Sequence, residues 1–398
     1  MHDVDRGADR IAWARENMPL LGSARELFVG RKPLAGLRVA MGLHVESKTA
    51  VLAEVLVAGG AELAMTGSPG TTDDDVAAAL RRDLGIQVLG ERADSFADHL
   101  AHDRTLVESA PDVVVDNGAD LMATALDAGI ISVRFATEET TSGVQRLRGE
   151  LRGRLPYPVI TINESPLKQI VENEKGIGPA VLDGFMRATN TMVSGRTFCV
   201  IGYGSCGRSL ARTLRALNGV VLLVEIDPIR AMEAAFDGMI VLPIEQALPL
   251  ADAVFTVAAA PGVVSVQHFD LLRDGVMLAN VGHFSTEIDV DALRSTAQHA
   301  RRLAPHIDEF TTADGRRLRL LARGDMLNLA AGTGHPIEVM DVGFALQAHS
   351  ILALATDTER FAPGENRVPD AVDRLIATEI VGYLSSLPHR SVAATPAS

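Results

Sequence analysis

The chain has 398 residues, more than one ordinary core accommodates, so two domains are expected. Its composition, 47% hydrophobic and 22% charged, is that of a globular protein, and a net charge of −14 argues against nucleic acid or an anionic membrane as the main partner. Two cysteines, Cys199 and Cys206, exclude a disulfide framework and favour the cytoplasm. Met1–Arg10 is charged and lacks the apolar stretch of a signal peptide, and no apolar run is long enough to span a bilayer.

Strand-like and helix-like runs alternate from the start, the pattern of a parallel α/β sheet. Leu37–Leu43 reads as a strand, Thr49–Ala58 as a helix, Ala61–Thr66 as a strand and Asp73–Arg82 as a helix. Ile86–Leu89, Asp112–Val115 and Ile130–Phe135 read as further strands. Polar residues follow several of them: His44, then Asp116-Asn117, then Thr137-Glu138-Glu139-Thr140-Thr141. Ligands of open α/β sheets collect at the carboxyl ends of strands, which makes these positions candidates for a site, although single turn residues and helix caps occur there too.

A second α/β unit runs from about Gly184 to Ala331. The strand Thr197–Ile201 leads into Gly202-Tyr-Gly204-Ser-Cys-Gly207, then a helix over Ser209–Leu217 and a strand over Val220–Val224 that delivers Glu225. In this arrangement Gly202 makes a tight turn, Gly204 lets backbone approach a pyrophosphate, and Gly207 allows close helix–strand packing. The helix N-terminus supplies N–H groups and positive dipole for phosphates. Glu225 accepts from ribose hydroxyls and repels a 2′-phosphate, so the expected cofactor is NAD rather than NADP. Gly238–Leu242, Ala253–Val257 and Val276–Asn280 read as the remaining strands, and Gly343–Ala355 as a returning helix. His99, His102, His299, His306 and His389 lie in polar surroundings and read as surface residues; Cys206 reads as packing, and no metal site is expected.

The order of further motifs is specific: Leu43-His44, Glu138-Glu-Thr-Thr-Ser-Gly143, Asn163-Glu-Ser-Pro-Leu-Lys168, Glu172-Asn173, Gly202-Tyr-Gly204, Glu225-Ile-Asp-Pro228, Asn280-Val-Gly-His-Phe284 and Gly334-His-Pro336. With these, the chain resembles the S-adenosylhomocysteine hydrolase family from about Arg10 to about residue 360. The resemblance implies a Rossmann-type NAD domain (184–333) inserted in a second α/β domain that binds substrate (1–183 with 334–390), followed by a loose tail, 391–398. It also implies bound NAD, an adenine nucleoside substrate and a homo-oligomer, tetramer or dimer.

The family's chemistry oxidises the nucleoside 3′-hydroxyl, removes the acidified C4′ proton, expels the 5′ substituent, adds water and reduces the ketone again. On this resemblance Lys168, held between Glu139 and Glu172, assists proton removal at the 3′-hydroxyl, and Asn173 positions the 3′-oxygen. His44 and His283 flank the 5′ side. Thr140, Thr141 and Ser142 touch the nicotinamide end of NAD, supported by Asn280 and Asn328. Thr49 and His335 are assigned to substrate binding.

Several positions depart from the family. Asn117 stands where the family has its catalytic aspartate, and an amide is no general base. Glu46 and Lys48 replace a threonine and a glutamate that help read the nucleoside. Glu172 replaces an aspartate, Ile177 a cysteine near the nicotinamide and Thr333 a methionine near the base, and the family's basic C-terminus is missing. The oxidation apparatus is thus retained while the groups handling the 5′ substituent and the base are altered. The expected activity is elimination without ready return of water, a dehydratase or lyase similar to hydrolase-like dehydratases of adenine nucleoside antibiotic pathways such as angustmycin. An ordinary S-adenosylhomocysteine hydrolase and a non-catalytic NAD-binding regulator are the alternatives.

Overall fold

The computed structural model describes residues 3–68, 70–282 and 285–386. Contacts divide the chain into two compact units, Met1–Gln169 with Ile337–Ser398, and Ile170–Pro336. These crossings differ from the 183/184 and 333/334 boundaries read from the sequence. The reason is the helix Ile177–Thr189, which packs on the helix Ser205–Ala216 and on Leu327–Ala330, inside the second unit.

The first unit is built on a seven-stranded sheet. Its order is Gly364–Arg367, Pro158–Thr161, Phe135–Glu138, Val113–Asp116, Arg38–Gly42, Glu62–Thr66, Gln87–Val88, with every pairing parallel. The first three strands in the chain run outward in one direction and the later ones in the other, so the switch point lies between Arg38–Gly42 and Val113–Asp116. The strand read over Ile130–Phe135 begins only at Phe135. Pairing sets Phe135 against Val113 and Glu138 against Asp116, which leaves Ile131 at the surface, 91% exposed. Helices Val4–Glu16 and Pro19–Arg31, the helix Phe96–Glu108 and the strand Pro158–Thr161 were not apparent in the sequence pattern.

The returning helix, Ile337–Thr356, starts directly after Pro336. It is long and apolar enough to cross a membrane by length and composition. Its residues from Met340 to Leu352 are nevertheless buried, and it packs on helices Pro19–Arg31 and Ser47–Ala58 of its own unit, which makes it a core helix.

The second unit has an eight-stranded sheet with the order His299–Ala304, Ile307–Thr311, Arg317–Leu321, Met277–Asn280, Ala253–Thr256, Thr197–Ile201, Val220–Val224, Ile240–Val241. Six strands are parallel; His299–Ala304 and Ile307–Thr311 add an antiparallel edge. The switch point falls between Thr197–Ile201 and Ala253–Thr256. Phe185, Phe198 and Phe255 pack in one aromatic cluster on one face of this sheet. The α/β class and the Rossmann-type unit follow from this topology.

Candidate active site

Both switch points carry the residues that the sequence singles out. In the first unit His44 follows the strand Arg38–Gly42 and Asn117 follows Val113–Asp116. Asn117 Nδ2 donates to His44 Nε2 at 3.2 Å, and His44 Nδ1 lies 2.9 Å from Thr71 Oγ1. The Thr71 hydroxyl donates to the Ser68 carbonyl at 2.7 Å, so its oxygen is left to accept from His44 Nδ1–H. The Nδ1 proton of His44 thus faces Thr71, and Nε2 faces Asn117. Asn117 is buried, and its Oδ1 has no hydrogen-bond partner among the described residues.

Two buried carboxylates shape this turn and were missed as such in the sequence. Asp116 accepts from Asn117 N and Met122 N, both at 2.9 Å. Glu138 accepts from Gly118 N at 3.0 Å, Ala119 N at 2.9 Å, Thr140 N at 2.8 Å and the Thr140 hydroxyl at 2.7 Å. Burial pushes Asp116 well above the usual carboxylate range, with Glu138 pushing in the same direction, and raises Glu138 to about 7 against the hydrogen bonds it receives. Gly143 leaves the room for this: a Cβ there would stand 2.1 Å from the Glu138 carboxyl carbon. Glu138 lies in a strand buried along its whole length, which the sequence does not show.

Thr140 caps the helix Thr141–Arg148, accepting from Gly143 N, and its Oγ1 lies 3.0 Å from Ser142 Oγ. Thr141 is exposed, and its hydroxyl donates to Asn163 Oδ1. Lys168 is buried at the end of the turn Pro166–Lys168, with Nζ 3.7 Å from Glu139 Oε1. On the helix Ser47–Ala58, Glu46 is the cap: Oε1 takes Thr49 N and the Thr49 hydroxyl, and Oε2 takes Lys48 N and Lys48 Nζ, the last at 2.9 Å. Lys48 is 5% exposed.

In the second unit Glu172 and Asn173 are buried on a π-helical stretch, Gln169–Gly176, a rare geometry that frequently marks functional sites. His335 Nε2 lies 3.8 Å from Glu172 Oε1. Thr333 is exposed. Asn280 is fully buried and clamps Gly282, accepting from its N–H and donating to its carbonyl, both at 3.0 Å. Glu287, another buried carboxylate not singled out in the sequence, accepts from Ala258 N and Ala259 N beyond the next strand. Asn328 is buried, its Oδ1 without a hydrogen-bond partner among the described residues. His283 lies outside the described residues.

The glycine turn fits a dinucleotide. Gly202 has φ +109, and a Cβ there would stand 2.6 Å from the Val257 carbonyl; one on Gly207 would stand 2.1 Å from the Gly202 carbonyl. Gly204 differs, since its Cβ would meet only Arg230 Nη1, at 4.0 Å. That open space lies in front of the helix Ser205–Ala216, which starts inside the turn, ahead of the expected Ser209, and has no side-chain cap. The helix N–H groups are thus available to a phosphate. Glu225 accepts from Tyr203, Ile226 and Asp227 N–H groups at 2.7, 2.7 and 2.9 Å, which fixes its carboxylate beyond the end of its strand. Cys206 packs against the core there.

His99 corrects the surface reading: it is buried between Asp103 and Asp120. His299 is exposed and His306 half-buried, while His389 lies outside the described residues.

Comparison with known proteins agrees with this geometry. Residues 1–132 match the family described as S-adenosyl-L-homocysteine hydrolase, and residues 173–334 match its NAD binding domain. A protein of Methanopyrus kandleri named S-inosyl-L-homocysteine hydrolase is 44% identical over 378 residues, covering 94% of this chain and 89% of the relative. The adenosylhomocysteinase of Aquifex aeolicus is 40% identical over 379 residues, covering 94% and 91%. That of Archaeoglobus fulgidus is 40% identical over 376 residues, covering 93% and 92%. NAD is the cofactor, and the chain belongs to the S-adenosyl-L-homocysteine hydrolase family.

Proposed function

We propose that this NAD-dependent enzyme acts on a purine nucleoside by transient 3′-oxidation, C4′ deprotonation and β-elimination of the 5′ substituent, and that it is a nucleoside dehydratase or lyase. NAD, held at the glycine turn and Glu225, would supply the hydride acceptor for C3′ and the hydride that restores it. Lys168, buried against Glu139, takes the 3′-hydroxyl proton, while Glu172 and Asn173 position the 3′ oxygen. His44 handles the proton at the 5′ side. Once protonated it donates from both ring nitrogens. Substrate belongs to the first unit in this reading, with Thr140, Thr141, Ser142, Asn280 and Asn328 at the nicotinamide end. His283, Thr49, Thr333 and His335 keep their assigned roles. A homo-oligomer in the cytoplasm completes the proposal.

The observation that carries dehydration is the Oδ1 of buried Asn117, which has no hydrogen-bond partner among the described residues while the amide nitrogen pairs with His44. An unpartnered buried acceptor calls for a ligand donor. A 5′-hydroxyl has an O–H to give, and a thioether sulfur has none. The neighbouring carboxylates, Asp116 and Glu138, spend their oxygens on backbone N–H groups, so neither replaces the missing base for water addition.

A second reading, hydrolysis of a nucleosyl-homocysteine with a 6-oxopurine base, is favoured by Glu46 and Lys48. All four lone-pair sites of the Glu46 carboxylate are taken, and Lys48 offers only donors, which suits a base edge that accepts, as O6 of hypoxanthine does. The Methanopyrus relative's name agrees with it. Incubation with adenosine, inosine and their S-homocysteine derivatives, with products read by mass, separates the readings. Loss of one water from a nucleoside supports dehydration, whereas rapid homocysteine release establishes the hydrolase.

A further inference from the structure

Behind the turn that carries Asn117, three side chains converge that the reaction does not use. His99 and Asp103 stand one turn apart on the helix Phe96–Glu108, and Asp120 opens the helix Asp120–Asp127. His99 Nε2 lies 3.4 Å from Asp103 Oδ2 and 3.7 Å from Asp120 Oδ2, and one ligand atom from each residue falls within 4.8 Å of the others. Two ligand atoms bound to one tetrahedral cation at 2.0–2.2 Å are about 3.3–3.6 Å apart.

Asp103 is the independent sign of a missing ligand. It is 1% exposed, and neither carboxylate oxygen has a hydrogen-bond partner among the described residues. A carboxylate so placed costs several kcal/mol unless a positive charge or donors satisfy it. The nearby guanidinium of Arg146 is committed elsewhere: Nη1 donates to Asp120 Oδ1 at 2.5 Å and to the Gly118 carbonyl at 2.7 Å.

We propose that His99, Asp103 and Asp120 bind a divalent first-row transition cation, with water completing the coordination. One imidazole and two carboxylates suit zinc, cobalt or manganese. Arg146 on the far oxygen of Asp120 is the outer contact that orients this ligand. The ion would join the helix Phe96–Glu108 to the residue closing the Asp116–Asp120 turn, and so steady the loop of Asn117 without touching the reacting atoms. The sequence hid this site because its ligands are split between two helices and show no metal-binding spacing.

The test uses the full-length, tag-free protein loaded with NAD and stripped with a chelator, titrated with Zn2+ and Co2+ near neutral pH. One ion per chain, a metal-dependent rise in Tm and a cobalt spectrum of nitrogen–oxygen coordination are expected. Asp103→Asn, which keeps the size and shape of the side chain, and His99→Gln should each weaken binding at least tenfold while NAD content stays the same. No stoichiometric binding by the wild type, or unchanged affinity in both variants, overturns the site and leaves a plain His–Asp ion pair. Should both variants fail to fold, the wild-type cobalt spectrum decides alone: absence of a ligand-field band overturns the proposal. Neither result bears on the nucleoside chemistry.

Discussion

Asn117 and His44 meet across the switch point of the first sheet, with the amide nitrogen 3.2 Å from the imidazole Nε2. The amide acts as a donor here, and the Nδ1 proton of His44 faces Thr71. A carboxylate in the same place would accept from Nε2–H and favour the charged ring.

Asn117→Asp should therefore raise the basicity of His44 and restore some water addition. General-base help is typically worth about 10²–10⁴-fold. The expected outcome is homocysteine release from a nucleosyl-homocysteine that rises in the variant, with C4′ proton exchange into deuterated solvent already present in the wild type. Wild-type hydrolysis at ordinary family rates would sink the dehydratase.

Lys168→Met should abolish turnover and leave NAD bound, because it removes the proton-transfer group, which contacts Glu139, without altering the glycine turn. The check is the near-ultraviolet absorbance of the reduced nicotinamide after nucleoside is added, which reads 3′-oxidation whatever the leaving group. Undiminished reduction in the variant removes Lys168 from the mechanism.

The glycine turn was the most legible part of the chain, since strand, turn, helix and acidic residue sit within one local stretch where spacing alone dictates geometry. The order of both sheets was not legible, because strand pairing is set by tertiary packing between distant segments. Ile130–Phe135 misled for the same reason: an apolar run becomes a strand only where a partner strand stands beside it, and Val113 begins opposite Phe135. Glu138 and Glu287 look like any acidic residues in the sequence. Their roles emerge only when backbone N–H groups from other loops turn toward them.

Glu225→Ala should weaken NAD and relax discrimination against NADP. The charged acceptor is worth about 1.5–3 kcal/mol, or about 10–150-fold in affinity. The loss of the three backbone contacts also loosens the turn, so Glu225→Gln, which keeps one carbonyl acceptor, should retain more of the NAD affinity. Equal wild-type affinity for the two cofactors, measured by titration of the apoprotein, would contradict the role of this carboxylate.

Asp341 caps a helix from a distance, accepting from Leu20 N at 3.0 Å and Leu21 N at 2.9 Å at the start of Pro19–Arg31. Burial raises its carboxyl to about 6, against an ordinary value of about 3.9. The folded state thus holds the proton more tightly than the unfolded chain. The stability from this group is full below about pH 4 and is lost as pH rises through about 6. Asp341→Asn should lower Tm and flatten that slope, with the gap to the wild type narrowing from pH 4 to pH 6 (both about). A gap that widens over the same range would contradict this sign.

The last prediction concerns the pair of buried Lys48 and half-buried Glu46, 2.9 Å apart. Glu46 has no lone-pair site left for an exocyclic amine, and the ammonium of Lys48 presents donors alone. If the base rests here, a purine that accepts at position 6 should be preferred to one that donates there, and Lys48→Met should erase the preference. Removing one charge-assisted hydrogen bond costs about 1.5–3 kcal/mol, so the ratio of kcat/KM for inosine-based over adenosine-based substrates should fall about 10–150-fold in the variant. Thr49 and the cap on the helix remain, because Glu46 keeps its contacts with Thr49. A variant that loses both substrates in equal proportion would show that Lys48 only supports the helix start. A wild type that favours adenine would place the base elsewhere, while leaving the roles of Lys168 and His44 untouched.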